Sequence, residues 1–205
     1  MKTNASIRQD ALATMRGKWL AGIVITIVYM LLGLLCGIFS AFNPDNAVSF
    51  SLMTMLAAIF IGFPLQLGFI MIWFNTARNN AHPELKELFG AFNGRHYASC
   101  MGTLLLVEIF TALWTLLLIV PGIIKAMEYA MTPYIIIDEP ELGCNEAIEK
   151  SMRLMKGHRW QLFKIYLGLI GWILLGLLTL GIAYLWLIPY YQTVFAKFYL
   201  ALKEE

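Results

Sequence analysis

One stretch decides the fold of this chain: residues 104–138 read LLLVEIFTALWTLLLIV, then PG, then IIKAMEYAMTPYIIID. Two apolar runs meet at Pro121-Gly122 and enclose three ionisable residues, Glu108, Lys125 and Glu128. A charge inside a segment of hydrocarbon length costs several kcal/mol unless it is compensated. The stretch therefore predicts a membrane hairpin whose charges are paired, face the interior of a bundle, or serve a function.

The composition of the whole chain agrees with this prediction. Of its 205 residues, 60% are hydrophobic and 14% charged, and the mean hydropathy is +0.69. Soluble domains have about 45–50% apolar and about 25% charged residues. The apolar excess is concentrated in runs of about 20 residues, the length that crosses a bilayer. We predict a single integral membrane domain over residues 1–205, and the net charge of +2 gives no indication of nucleic acid.

The apolar runs predict an all-α, polytopic membrane protein with six transmembrane helices arranged as three hairpins. The expected spans are approximately residues 19–42, 48–74, 98–120, 122–137, 160–180 and 182–202. Gly62-Phe63-Pro64 should kink the second span. The fourth span measures only about 24 Å, which is short for a hydrocarbon core of about 30 Å. Its Pro-Gly tip is therefore expected below the headgroups, or the bilayer thins there.

Each predicted hairpin follows a polar stretch with apolar residues at helical spacing, typical of an amphipathic helix in the cytoplasmic interface. The three stripes are Ile7, Ala11 and Met15; Leu85, Leu88, Phe89 and Phe92; and Ile148, Met152 and Met155.

Each polar stretch ends in a glycine, one or two basic residues and an aromatic residue. The three instances are Gly17-Lys18-Trp19, Gly94-Arg95-His96-Tyr97 and Gly157-His158-Arg159-Trp160. A glycine ends a helix, cations bind anionic headgroups, and aromatic side chains anchor spans at the interface. This pattern indicates a threefold internal repeat, although basic and aromatic borders are also common in membrane proteins generally.

The distribution of Lys and Arg predicts the orientation. Residues 1–18 and 138–159 hold four each and residues 75–97 hold three, whereas the turns at 43–47 and 179–182 hold none. Because positive loops stay inside, both termini of this multi-pass protein should lie in the cytoplasm.

Several motifs resemble a bacterial family of six-span membrane proteins, domain-of-unknown-function family 975. The resemblance lies in Glu87 to Phe92, Pro121-Gly122-Ile123, Ile148 to Gly157, Ile170-Gly171-Trp172, Leu178 to Ile182, Pro189-Tyr190 and Phe198-Tyr199. The middle portion is also distantly similar to the membrane domain of some glycerophosphodiester phosphodiesterases. The resemblance implies the fold, the topology and an inner-membrane location, but no activity.

The candidate site is an intramembrane polar centre. Counted from the expected span ends, Glu108 and Glu128 lie at similar depth, and Lys125 lies about one turn further out. The complete predicted set is Gln66, Glu108, Lys125, Glu128, Tyr129 and Gln192. Such a centre would bind a cation, a proton or a polar headgroup, as in transporters.

A structural role for these charges is the competing hypothesis. Lys125 either extends toward the outer face or pairs with a glutamate to hold two helices together. Two acids facing one base would leave one carboxyl without a partner, which favours a neutral, proton-binding glutamate.

Other reactive residues form no recognisable site. His82, His96 and His158 lack metal-ligand spacing, and the three cysteines form no CxxC pair. Asp138-Glu139-Pro140-Glu141 is interpreted as a solvated turn between two helices. The sequence thus indicates no cofactor, no metal and no catalytic constellation.

The preferred functional hypothesis is a non-enzymatic scaffold or accessory protein that interacts with membrane lipids and envelope proteins. The alternative is a transporter of small solutes, ions or protons through the polar centre. The sequence leaves the oligomeric state open, because Gly168, Gly171 and Gly176 miss the GxxxG spacing of helix dimers.

Overall fold

The structure is a computed structural model that describes residues 2–41, 56, 58–92 and 97–205. Helices account for all regular secondary structure in these ranges, which confirms the all-α prediction. They are α1 (Asn4–Met15), α2 (Trp19–Ala41), a π-helical turn (Ala58–Gly62), α3 (Phe63–Asn79), a 3-10 helix (Leu85–Phe92), α4 (Tyr97–Leu117), α5 (Ile119–Tyr129), α6 (Thr132–Asp138), α7 (Cys144–Leu154), α8 (Arg159–Leu178) and α9 (Tyr184–Lys203).

The first amphipathic helix packs its apolar stripe against the protein itself. The Thr3 hydroxyl caps α1 by accepting a hydrogen bond from the Ser6 amide at 3.3 Å. Ile7, Ala11 and Met15 are fully buried, because α1 lies on α9 and also contacts α3 and α8. Gly17 ends the segment with a φ of +75°, and α2 then leaves at 92° to α1.

The second predicted span is described only in its latter part, and residues 48–55 and 57 lie outside the described ranges. The helix is π-helical over Ala58–Gly62 and α-helical from Phe63, so the irregularity falls at the predicted Gly-Phe-Pro site. Pro64 occupies the first turn of α3, where a missing N–H costs no hydrogen bond.

The second amphipathic segment is a 3-10 helix that packs on α3. Leu88 is fully buried, and Gly68 of α3 provides the space for it. A methyl group added to Gly68 would lie 2.0 Å from the Leu88 carbonyl oxygen. This contact requires glycine at position 68.

The central hairpin differs from the prediction in two places. The chain reverses at Leu118, where the backbone is extended (φ −159°, ψ 135°), and Pro121-Gly122 lies in the first turn of α5. The expected fourth span, 122–137, is broken at residues 130–131 into α5 and α6. Thr132-Pro133 accounts for the break, since proline lacks an amide donor and fits the start of a new helix.

The last helix, α9, is the centre of the bundle. It packs against α1, α2 and α3, and nine of its residues are buried. Of its tyrosines only Tyr199 is buried, and Gln192 and Lys197 are partly buried. The buried core consists of a larger cluster around Phe74, Ile135 and Tyr199 and a smaller one around Phe69 and Trp73.

Several of the described helices are long and apolar enough to cross a membrane. They are Ile59–Asn79, Tyr97–Leu117 and Arg159–Leu178, and the bent pair Asn4–Met15 and Trp19–Leu35 together also qualifies. Neither α9 nor the α5–α6 pair is among them. These helices fit a membrane protein.

Candidate functional site

The polar centre is organised around Glu128, near the end of α5. Its side chain is only 6% exposed, and its two carboxylate oxygens bind different cations. Lys125 Nζ lies 2.7 Å from Oε2, and Arg159 Nη2 lies 2.6 Å from Oε1. Glu128 is therefore a doubly paired carboxylate that joins α5 to the start of α8.

Aromatic and thioether groups surround the Lys125 ammonium group. It lies 5.5 Å from the ring centre of Trp114 on α4 and 6.0 Å from that of Tyr129. The Met152 sulfur is 3.9 Å away. Because a ring face attracts a cation, these contacts hold the ammonium beside Glu128 and help to fix α4 against α5.

Helix α7 packs directly on this cluster. Ser151, fully buried, donates a hydrogen bond of 2.6 Å from its hydroxyl to the Glu128 backbone oxygen. Ala147 and Ile148 are buried on the same helix. The apolar stripe of α7, the third amphipathic helix, thus faces α4, α5 and α6. Since α7 is expected at the membrane surface, the polar centre lies directly beneath that surface.

The other predicted site residues are dispersed. Tyr129 is buried beside Glu128, and Gln192 accepts a 3.4 Å hydrogen bond from the Tyr134 hydroxyl. Gln66 on α3 and Glu108 on α4 are exposed, and within the described ranges no hydrogen bond or ion pair reaches either side chain. The structure therefore gathers Lys125, Glu128 and Tyr129 but leaves Gln66, Glu108 and Gln192 outside the cluster.

Sequence reasoning missed Arg159, the second cation of the site. Its position in a Gly-basic-aromatic border indicated a role at lipid headgroups. The break at residues 130–131 instead brings Glu128 close to the start of α8, within reach of Arg159. Thr132-Pro133 was the available signal, since a proline favours a helix start at this point.

Lys18, at the equivalent position of the first repeat, also binds protein rather than solvent. It is 6% exposed, and its ammonium donates hydrogen bonds of 2.7 Å to the backbone oxygen and to Oδ1 of Asn80. Burial lowers the pKa of Lys18, and the nearby positive charge of Lys197 lowers it further. Lys18 and Arg159, the two Lys or Arg residues of the repeat borders that the structure describes, thus each bind a residue from another part of the chain.

A second polar cluster surrounds Asp138, at the end of α6. The interpretation of residues 138–141 as a solvated turn is wrong for Asp138, whose side chain is 3% exposed. Its carboxylate accepts hydrogen bonds from Arg78 at 2.8 Å, from the Tyr199 hydroxyl at 3.0 Å and from Lys203. Burial alone would raise the pKa of Asp138, but these donors and the charges of Lys203 and Arg78 outweigh it and lower the pKa.

The Asp138 cluster ties α3, α6 and α9 together at one end of the bundle. Next to it, the rings of Phe74, Tyr134 and Tyr199 pack together with centroid separations between 5.8 and 6.2 Å; Tyr134 and Tyr199 are stacked, and Phe74 meets both at an angle. Burial of Asp138 follows from this packing, because the three rings bring the ends of their helices together.

The remaining histidines and acids form no metal site in the part of the chain that the structure describes. His82 is exposed, His158 lies 3.3 Å from Glu205, and His96 lies outside the described residues. Asp138, Glu139 and Glu128 are instead paired with cations.

A comparison with protein families gives a match over the second half of the described helices. The model of the family "Protein of unknown function (DUF975)" matches residues 115–205, which include α5 to α9, Glu128, Asp138 and Arg159. No curated protein and no solved structure matches the chain. The family predicted from the sequence is thereby confirmed over residues 115–205, where the chain is similar to this family of proteins of unknown function.

Proposed function

We propose that this protein is a non-enzymatic scaffold or accessory protein of the bacterial inner membrane, which interacts with lipids and envelope proteins. In this proposal the chain has six spans and both termini are cytoplasmic. The observation that carries it is the double ion pair of Glu128. A carboxylate held by both Lys125 and Arg159 serves to join helices, and little of its charge is left for a passing solute.

The outer face of α7 and the turn after it support the interaction with partners. Glu149 and Arg153 on α7 and Lys156 just beyond its end are exposed, and none of them pairs with another described residue. The opposite face of α7 is fixed to the bundle through Ile148 and Ser151. A charged surface on a rigidly held helix is suited to recognition, because little conformational entropy is lost on binding.

Cross-linking in cells followed by purification tests this function. We expect a reproducible set of membrane proteins with the wild type, which is lost when Glu149, Arg153 and Lys156 are all replaced by serine. The matched control replaces Arg16, Glu84 and Lys86, which are exposed elsewhere and have the same summed charge. A wild type that purifies without partners, or an unchanged set from the α7 variant, would contradict the proposal.

Transport of protons or small solutes is the second candidate. The observation in its favour is Glu108, an exposed carboxylate on α4 without a partner among the described residues. In liposomes loaded with a pH-sensitive dye, the scaffold proposal predicts the same proton leak with and without the protein. A leak that requires the protein and disappears in Glu108→Gln would favour transport instead.

A further inference from the structure

Arg8 on α1 occupies an unusual position for a cation. It packs into a notch on α8, where a methyl group added to Gly168 would lie 2.1 Å from its Nη2 atom. Its charge also acts on the hydroxyls of Tyr190 and Tyr191 on α9. Within the described residues no carboxylate pairs with Arg8, in contrast to Lys125, Arg159 and Lys203.

Unused hydrogen-bond capacity is present at the same place. The Tyr191 hydroxyl is buried and has no partner in the described part of the chain. A guanidinium group carries five N–H donors that match the oxygens of a phosphate or carboxylate. The site thus offers donors and positive charge but supplies no anionic acceptor of its own.

An apolar groove begins one helical turn from Arg8. It has a volume of about 520 Å³ and is lined by Leu12, Trp19, Trp172, Trp186 and Tyr190, among others. Leu12 follows Arg8 by four residues on α1, and Trp172 follows Gly168 by four residues on α8. Arg8 and Gly168 do not line the groove themselves, but residues four apart share a face of a helix, which places the cationic notch next to one end of the groove.

The groove is open rather than filled by the protein. Leu12, Trp172 and Trp186 are 45%, 55% and 47% exposed. Its volume lies within the range of about 300–1,000 Å³ that is typical of ligand sites. A cation at one end of an open apolar groove is complementary to an anionic headgroup joined to a hydrocarbon chain.

We propose that this groove binds one anionic phospholipid of the cytoplasmic leaflet, with its phosphate at Arg8 and an acyl chain along Trp172 and Trp186. In the predicted topology α8 runs outward from the cytoplasmic side, and Gly168 lies about 12 Å past the expected span start at residue 160, so the bound phosphate would lie deeper than those of the surrounding lipids. Gly168 therefore lies nearer the cytoplasm than Trp172, as a lipid phosphate lies nearer the cytoplasm than its chain. The proposal rests on the membrane location included in the proposed function.

Native mass spectrometry of the detergent-purified full chain tests the site, with phosphatidylglycerol and phosphatidylcholine of identical acyl chains as probes. We expect the wild type to bind one phosphatidylglycerol about tenfold more tightly, because the choline ammonium group of phosphatidylcholine offsets much of the attraction between its phosphate and Arg8. Arg8→Gln should abolish this preference and Arg8→Lys should retain part of it. Arg16→Gln is the matched control, because it removes an exposed arginine near the end of the same helix.

The apolar part of the site has its own variant. Leu12→Trp narrows the groove without changing the charge, so it should weaken the binding of both lipids. If Arg8→Gln fails to give a monodisperse protein, Leu12→Trp still tests whether the groove is the lipid-binding site. Equal affinity of the wild type for both lipids, or unchanged binding in both Arg8→Gln and Leu12→Trp, would overturn the proposal. Purified components suffice here, so the lipid site and the proposed protein partners can fail independently.

Discussion

Replacement of Glu128 by glutamine should destabilise the protein strongly. The substitution keeps the size of the side chain but removes a charge that is 6% exposed and paired with both Lys125 and Arg159. Breaking a buried ion pair by removing one partner costs about 3–5 kcal/mol. The two cations are 26% and 43% exposed and are able to reach water or headgroups, so we expect a smaller loss, about 2–3 kcal/mol.

Thermal unfolding in detergent measures this effect. For a chain of this size, 1 kcal/mol corresponds to about 2–4 °C in Tm, so Glu128→Gln should lower Tm by roughly 5–10 °C. Glu108→Gln is the control, because the exposed Glu108 carboxylate has no partner among the described residues. It should leave Tm nearly unchanged. An unchanged Tm in Glu128→Gln, or an equal decrease in Glu108→Gln, would refute the assignment of Glu128 as a structural clamp.

Three further predictions concern packing, pH and topology. Gly68→Ala should lower the stability by about 1–3 kcal/mol in thermal unfolding, since the added methyl group would lie 2.0 Å from the Leu88 carbonyl oxygen. The control Gly171→Ala, where the added methyl group meets open space, should be neutral or slightly stabilising, and equal effects of the two variants would contradict the packing of the 3-10 helix. Asp138 stabilises the fold in its ionised form because folding lowers its pKa, so its contribution should be complete above the ordinary pKa of about 3.9 and decrease as the pH falls through the lower pKa of the folded state. Asp138→Asn should therefore reduce Tm more at pH 7 than at pH 3, and an equal reduction at both pH values would contradict this assignment. In a background without the native cysteines, a single cysteine at position 45 should react with an impermeant maleimide only from the outside of the membrane, and one at position 204 only from the inside. Labelling of both positions from the same side would contradict the six-span topology.

Helix positions were largely predictable because hydrophobicity and helix signals agree along most of the chain. The runs starting at Trp19 and Trp160 begin as helices within one residue of the prediction, and Gly17 and Gly157 end the preceding segments with positive φ. The turn at Pro121-Gly122 was placed wrongly because proline is equally suited to the first turn of a helix. Local sequence alone does not distinguish these two uses.

The partners of the charges were less predictable. The sequence left open whether Lys125 extends outward or pairs with a glutamate to hold two helices together, and in the structure it pairs with Glu128 of the same helix. Arg159 and Asp138 were assigned to solvent or lipid because their neighbours in sequence are polar. The burial of Asp138 depends on the packing of α3, α6 and α9, and the pairing of Arg159 with Glu128 depends on that of α5 and α8, so no local pattern reports either.

The central claim is that Glu128 and Arg159 act as a structural pair, and a double-mutant cycle tests it most directly. Thermal unfolding of Glu128→Gln, Arg159→Gln and the double variant gives their coupling free energy. We predict a coupling of about 1–3 kcal/mol, with the double variant more stable than the sum of the single effects implies. Strictly additive effects would contradict the claim.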